Sequence, residues 1–162
     1  MRYEITMTIQ DAPWPFESID AYMLYTVTNE QCAPYEKFVG IYRKPRDQDL
    51  PFTLTRVSDN EYKGTIYLDL IQDEDYYGKG VCHWSMTSIL ANLKAGGVTF
   101  APDLSQAQII QQQSVTQYFI KKAYGNEILK GSVDVGTTMS DLVTRYRDDY
   151  FSITVSSKEQ FE

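Results

Sequence analysis

Tyr3, Ile5, Met7 and Ile9 alternate with Glu4, Thr6, Thr8 and Gln10 along the first ten residues. A period of two places one set on each face of an extended strand, apolar inside and polar outside. A helix would scatter the same residues around its circumference, because its period is near 3.6. The chain therefore opens as a half-buried β-strand. Asp11-Ala12-Pro13-Trp14-Pro15 ends it, since two prolines remove ladder donors and fix φ.

The same pattern recurs downstream. Ser18 to Thr28 predicts a second strand, with Ile19, Ala21, Met23, Tyr25 and Val27 on one face and Tyr22, Leu24, Thr26 and Thr28 on the other. The apolar content of both faces implies cover on both sides over part of its length. Asn29 to Lys37 reads as a loop, Phe38 to Tyr42 as a short edge strand, and Lys44 to Asp49 as a polar loop. Phe52 to Val57 and Glu61 to Ile71, joined by Ser58-Asp59-Asn60, form the clearest β-hairpin. Gln72 to Gly80 is an acidic loop, and Val81 to Lys94 a long strand that Gly96-Gly97 turns into Val98-Thr99-Phe100. Ser105 to Gln113 is weakly helical and Ser114 to Tyr124 extended. Thr138 to Arg147 fits a short helix, with Met139, Leu142, Val143 and Tyr146 at helical spacing, and Tyr150 to Ser157 closes the chain as a strand. Many strands joined by turns predict an all-β fold, an antiparallel β-sandwich of seven to eight strands with one or two short helices.

At 162 residues the default is a single domain over 1–162, and a globule of that size buries roughly 70% of its unfolded surface. Fifteen Lys and Arg against twenty-two Asp and Glu give a net charge of −7. A nucleic-acid partner needs concentrated positive charge, so that class is excluded. No stretch approaches the ~18 apolar residues of a membrane-spanning helix.

Cys32 and Cys82 are the only cysteines, readable as one disulfide or as two inert buried thiols. A disulfide is preferred, because Cys32 follows one candidate strand and Cys82 opens another. It would place the chain in an oxidising compartment. Met1-Arg2-Tyr3 runs into the first strand without the regions of a secretory signal, which leaves a cytosolic protein or a mature domain behind a start Met. The disulfide favours the second.

Motifs for chemistry are sparse. His83, the single histidine, follows Cys82, and adjacent strand residues point to opposite faces, so the two cannot form a dyad. His83 is expected at the surface or in packing, and no Gly-x-Ser-x-Gly elbow presents a nucleophile. One His and two Cys fifty positions apart make no zinc site, so neither a metal nor a cofactor is expected, nor enzymatic activity. Trp84 shares its strand face with Cys82 and is expected to pack on a disulfide. Asp73-Glu74-Asp75 followed by Tyr76-Tyr77 is the densest acidic cluster. It lacks EF-hand spacing for calcium, and reads either as a solvated turn or as a partner-binding loop, where carboxylates steer and tyrosines give rigid contacts.

Tyr3 to Ala12 with Pro15-Phe16, Val27-Thr28-Asn29-Glu30-Gln31-Cys32, and above all Asp69 to Gly78 with Gly80-Val81-Cys82-His83-Trp84 carry a resemblance. Over about its first hundred residues the chain resembles small secreted or lipid-anchored proteobacterial proteins of the immunity type, encoded beside antibacterial effectors of contact-dependent secretion systems. The resemblance implies a periplasmic protein that binds a cognate toxic effector, a cell-envelope hydrolase, and occludes its cleft. Asp73, Glu74, Asp75, Tyr76 and Tyr77 are the candidate contact. The competing reading is a non-catalytic envelope module, structural or carbohydrate-binding.

Overall fold

The computed structural model describes residues 1–161. The alternating opening segment is β1 (Arg2–Gln10), with Tyr3, Ile5, Met7 and Ile9 all buried. β2 (Ser18–Val27) buries Ala21, Met23, Tyr25 and Val27. Its other face is half-covered, as expected, partly because Thr26 donates to Asp47 Oδ1 at 2.6 Å and accepts from Lys44 Nζ at 2.8 Å. β3 (Tyr35–Glu36) and β4 (Ile41–Tyr42) form a separate small hairpin. β5 (Gln48–Phe52), β6 (Thr55–Arg56) and β7 (Glu61–Tyr67) follow, then β8 (Trp84–Ala95), β9 (Val98–Phe100) and β10 (Asp103–Ser105). The one-turn helix α1 (Gln106–Ile110) leads into β11 (Ser114–Ile120), and β12 (Val133–Asp134), α2 (Asp141–Arg145) and β13 (Tyr150–Glu159) complete the order.

Seven of these strands have five or more residues and six have two or three. They build one sheet in the order β11-β13-β1-β7-β6 and another in the order β12-β9-β8-β2-β5, with β10 pairing β8. All ladders are antiparallel except β12 with β9. The inner faces meet in one apolar core. β1, β11 and β13 contribute Ile5, Met7, Phe119, Phe151 and Ile153 from the first sheet. Met23, Met86, Leu93 and Phe100 enter from the second. Phe100 sits at the centre of an aromatic cluster with Phe16, Phe119, Tyr124 and Phe151, ring centroids 5.1–6.1 Å away. The expected all-β, antiparallel architecture with few short helices is thus the observed one.

Several boundaries differ from the sequence expectation. Phe38 to Tyr42 is no single strand: Phe38 and Val39 form the tip of the β3–β4 hairpin. The predicted strand Phe52 to Val57 divides into β5 and β6, and β5 begins in the polar segment at Gln48, because pairing with Leu24 and Tyr25 supplies its ladder. β7 stops at Tyr67, beyond which Leu70 is exposed rather than packed on the face expected for it. The strand expected from Val81 begins at Trp84, and β11 ends at Ile120, ahead of the predicted Tyr124. In the predicted helix Thr138 to Arg147 only Asp141–Arg145 is α-helical, Arg147 opening a separate 3-10 turn, and only Val143 is buried, so the spacing of Met139, Leu142 and Tyr146 reflects no packed face.

The antiparallel registers sort the connections to two ends of the sandwich. Residues 11–17, the β6–β7 turn and residues 121–149 lie at the end where β1 finishes. Residues 28–47 and 68–83 lie at the opposite end, where β2 finishes and β8 begins.

Candidate functional site

The acidic loop belongs to the second end and hangs from a disulfide. Cys32 and Cys82 are bonded, with Cα atoms 5.2 Å apart, fifty positions apart in sequence. They share a small buried cluster with Val27 and Ala33, against which Tyr42 and Trp84 pack. The registers explain why this pairing is available: Val27 and Trp84 are direct partners at the end of the β2–β8 ladder, so the residues just beyond them converge. Asn29 closes the arrangement on its other side. Its side chain donates to the Val81 carbonyl and accepts from the His83 N–H, both at 2.7 Å. At the start of the loop, the buried Tyr25 hydroxyl donates to the Tyr67 carbonyl where β7 ends. Burial, more than the nearby Asp69 carboxylate, pushes that phenol up to about 12.

Within the loop the five predicted residues are brought together but play unequal parts. Asp73 Oδ1 accepts from the Trp84 N–H at 2.8 Å, and Oδ2 lies 2.8 Å from His83 Nδ1. The His83 bond, then the Trp84 N–H, hold the Asp73 carboxyl below its ordinary range. Asp73 is therefore an internal clamp. Glu74 pairs through its backbone with Cys82, whose N–H it accepts at 2.8 Å, and its side chain is exposed. Asp75 accepts from the Lys79 N–H at 3.1 Å. The turn between them uses Gly78 at φ 69°, a conformation that side-chain-bearing residues rarely adopt. Tyr76 accepts from the Trp84 indole N–H at 3.1 Å, and its ring leans on Tyr77 at 6.3 Å. Both tyrosines stay about two-fifths exposed.

His83 lies at the surface, paired to Asp73 with its Nε2 towards no hydrogen-bond partner among the described residues. Trp84 packs on the disulfide cluster but remains half-buried. Cys82 Sγ is committed to the disulfide, so no thiol is present to act with the imidazole. Among the described residues, no three His, Cys, Asp or Glu side chains converge as a metal site would require.

Sequence reasoning missed the neighbour of this loop. The β3–β4 hairpin stands on the same disulfide cluster through Tyr42, whose ring packs against Tyr35 at 5.0 Å. Its base is braced by an ion pair between Arg43 and Glu36 and by the Arg43 N–H on the Pro34 carbonyl at 2.8 Å. At its tip Phe38 is fully exposed (104%), with Val39 at 60% and Ile41 at 50%. The signal was present as Lys37-Phe38-Val39-Gly40, a turn-forming glycine after two apolar residues, but strands of two residues carry no periodicity to reveal a hairpin. The hairpin and the loop thus present apolar and aromatic side chains and the exposed carboxylates of Glu74 and Asp75 at one end of the sandwich, on a cross-linked base.

No protein-family model, no curated protein and no solved structure matches this chain.

Proposed function

We propose that the chain is a periplasmic immunity-type protein that binds a cognate antibacterial effector, a cell-envelope hydrolase, and blocks its cleft by occlusion. One observation carries the reading: a fully exposed Phe38 on a braced hairpin stands at the same end of the sandwich as Glu74, Asp75, Tyr76 and Tyr77, and hairpin and loop are both anchored to one buried disulfide cluster. Protein interfaces concentrate binding energy in a few aromatic anchors surrounded by polar contacts. A rigid base lowers the ordering cost of presenting them. The loop from 68 to 83 holds four acids against one lysine, so a basic hydrolase, whose own substrates are anionic, would be steered towards it. The mechanism requires no cofactor and no chemistry from this chain. A disulfide is the form expected in an oxidising compartment.

The test is co-expression in the periplasm with the hydrolase encoded beside this gene. Protection from toxicity and a one-to-one complex of the purified proteins are expected. Replacing Glu74 by Gln, Asp75 by Asn and Phe38 by Ser together should weaken that complex at least a hundredfold, while Asp73 is left in place because it holds the loop. Absence of both protection and complex formation sinks the proposal. Undiminished affinity in the triple variant moves the interface elsewhere.

A further inference from the structure

The opposite end of the sandwich holds a cleft that the docking surface does not involve. It is an open groove of about 500 Å³ between the Asp11–Phe16 connection and the β6–β7 turn. That volume falls inside the roughly 300–1,000 Å³ range of small-molecule sites. Both walls are fixed to the core. Phe16 belongs to the aromatic cluster, the Tyr124 hydroxyl donates to the Trp14 carbonyl, and the Ile9 N–H donates to the Asn60 carbonyl at 2.8 Å. Pro13 and Pro15 lock φ on either side of Trp14. Yet the Trp14 side chain itself is left out of the packing, 69% exposed. With its backbone fixed and its ring open to water, Trp14 offers a flat apolar face to a ligand in the cleft.

The polar lining narrows the ligand. Asp11, Arg56, Asp59, Asn60 and Tyr62 face the same space. The Arg56 guanidinium is already engaged, with Nη2 3.2 Å from Asp59 Oδ1 and Nε donating to the Ser58 carbonyl at 3.0 Å. With Asp11 added, two carboxylates face one committed cation. A phosphate or carboxylate would be repelled, whereas hydroxyl groups suit the set, because carboxylates accept from them and Arg56 and Asn60 can donate. Asp11 stands at φ 64°, one of two non-glycine residues in the left-handed region among the described residues, and such strained positions recur at ligand sites. An aromatic platform beside paired acceptors and donors matches a sugar ring, with its C–H face and its hydroxyl edge.

We infer that this cleft binds a neutral saccharide chain, stacked on Trp14 and hydrogen-bonded by Asp11, Arg56, Asp59 and Asn60. It stands apart from the docking surface and does not depend on the effector reading. A two-dimensional amide NMR titration tests it, with tetramers of β-1,4-linked N-acetylglucosamine, β-1,4-linked glucose and α-1,4-linked glucose as neutral probes. A sulfated heparin tetrasaccharide and a proline decapeptide serve as counter-probes. At least one neutral tetramer is expected to shift residues 9–16 and 56–62 together with the Trp14 indole signal. Trp14→Ala should weaken that binding at least tenfold while leaving the remaining spectrum folded, and Asp59→Ala should weaken it severalfold. No shift with any neutral tetramer at millimolar concentration overturns the inference. So does binding that persists in Trp14→Ala, or a preference for the anionic sugar. Shifts at the same residues from the proline decapeptide alone would assign the cleft to a proline-rich peptide instead. Trp14→Ala should still form the effector complex, so the two readings fail separately.

Discussion

Removing the disulfide is the most informative perturbation, because both the stability of the sandwich and the display of its second end pass through it. In the chain-entropy account, cross-linking a loop of about fifty residues restricts the unfolded ensemble by ~14 cal/mol/K, or about 4 kcal/mol at 25 °C. The native side of the comparison changes little. Val27 and Trp84 remain ladder partners without the bond, and alanine keeps both positions apolar in their buried cluster. Cys32→Ala with Cys82→Ala should therefore lower the unfolding free energy by about 4 kcal/mol, roughly a thousandfold in the equilibrium constant. For a chain of this length that corresponds to a fall of about 8–16 °C in Tm. The assay is urea denaturation of the oxidised protein, the same protein under reductant, and the double variant. The last two should coincide, and their m-value should rise because an uncrosslinked unfolded chain exposes more surface. Amide exchange at Val81 to Trp84 should accelerate more than exchange at the centre of β1. A loss below about 1 kcal/mol would refute the entropic reasoning. Unchanged exchange at Val81 to Trp84 would show that Asn29 and Asp73 hold the loop without the bond.

Three other outcomes follow from particular contacts. The Asp73 carboxyl is held below its ordinary value of 3.8 by His83 and the Trp84 N–H, so its contribution is present above that value and is lost as pH falls through the lowered one. The pair is exposed, which limits the effect to below about 1 kcal/mol; a carboxyl-carbon NMR titration with a midpoint at or above 3.8 would contradict it. Gly64→Ala puts a Cβ 2.5 Å from the Thr53 carbonyl oxygen, a backbone atom that cannot rotate away, and should cost about 1–3 kcal/mol in urea melts. A neutral result would mean that the connection between β5 and β6 shifts freely. Phe38→Ser removes a fully exposed ring and should alter stability by no more than about 0.5 kcal/mol. A larger loss in the same melts would make Phe38 a packing residue and not a displayed one.

How much of this was legible depended on how long each element persists and how many faces it buries. β1 is nine residues long with one wet face, so its period of two survives in the sequence. β2 and the β6–β7 turn were readable for related reasons, through alternation and turn residues. β5 was not, because an edge strand containing Asp49 and Pro51 is defined by what β2 offers it. The acidic loop was visible as composition, but the inward commitment of Asp73 depends on His83 and Trp84 lying across from it. Asp11-Ala12-Pro13-Trp14-Pro15 was read only as a strand break. Its role as one wall of a cleft needs the β6–β7 turn opposite, nearly fifty positions later, which no local pattern can report.

The two ends are separable for a structural reason. Each rests on its own anchor: a covalent bond with its buried cluster at one end, the ring cluster of Phe16, Phe100 and Tyr124 at the other. Between them lie the long ladders of β1 with β7 and β13 and of β2 with β8, whose inner faces are filled with side chains. Close-packed interiors of this kind resist continuous deformation, so a contact made at Phe38 has little means of reshaping the space around Trp14. Under the two proposals above, a neutral saccharide binds at one end and a protein cleft is occluded by the other. The two bindings should then be additive, with a saccharide tetramer leaving the affinity for the effector unchanged.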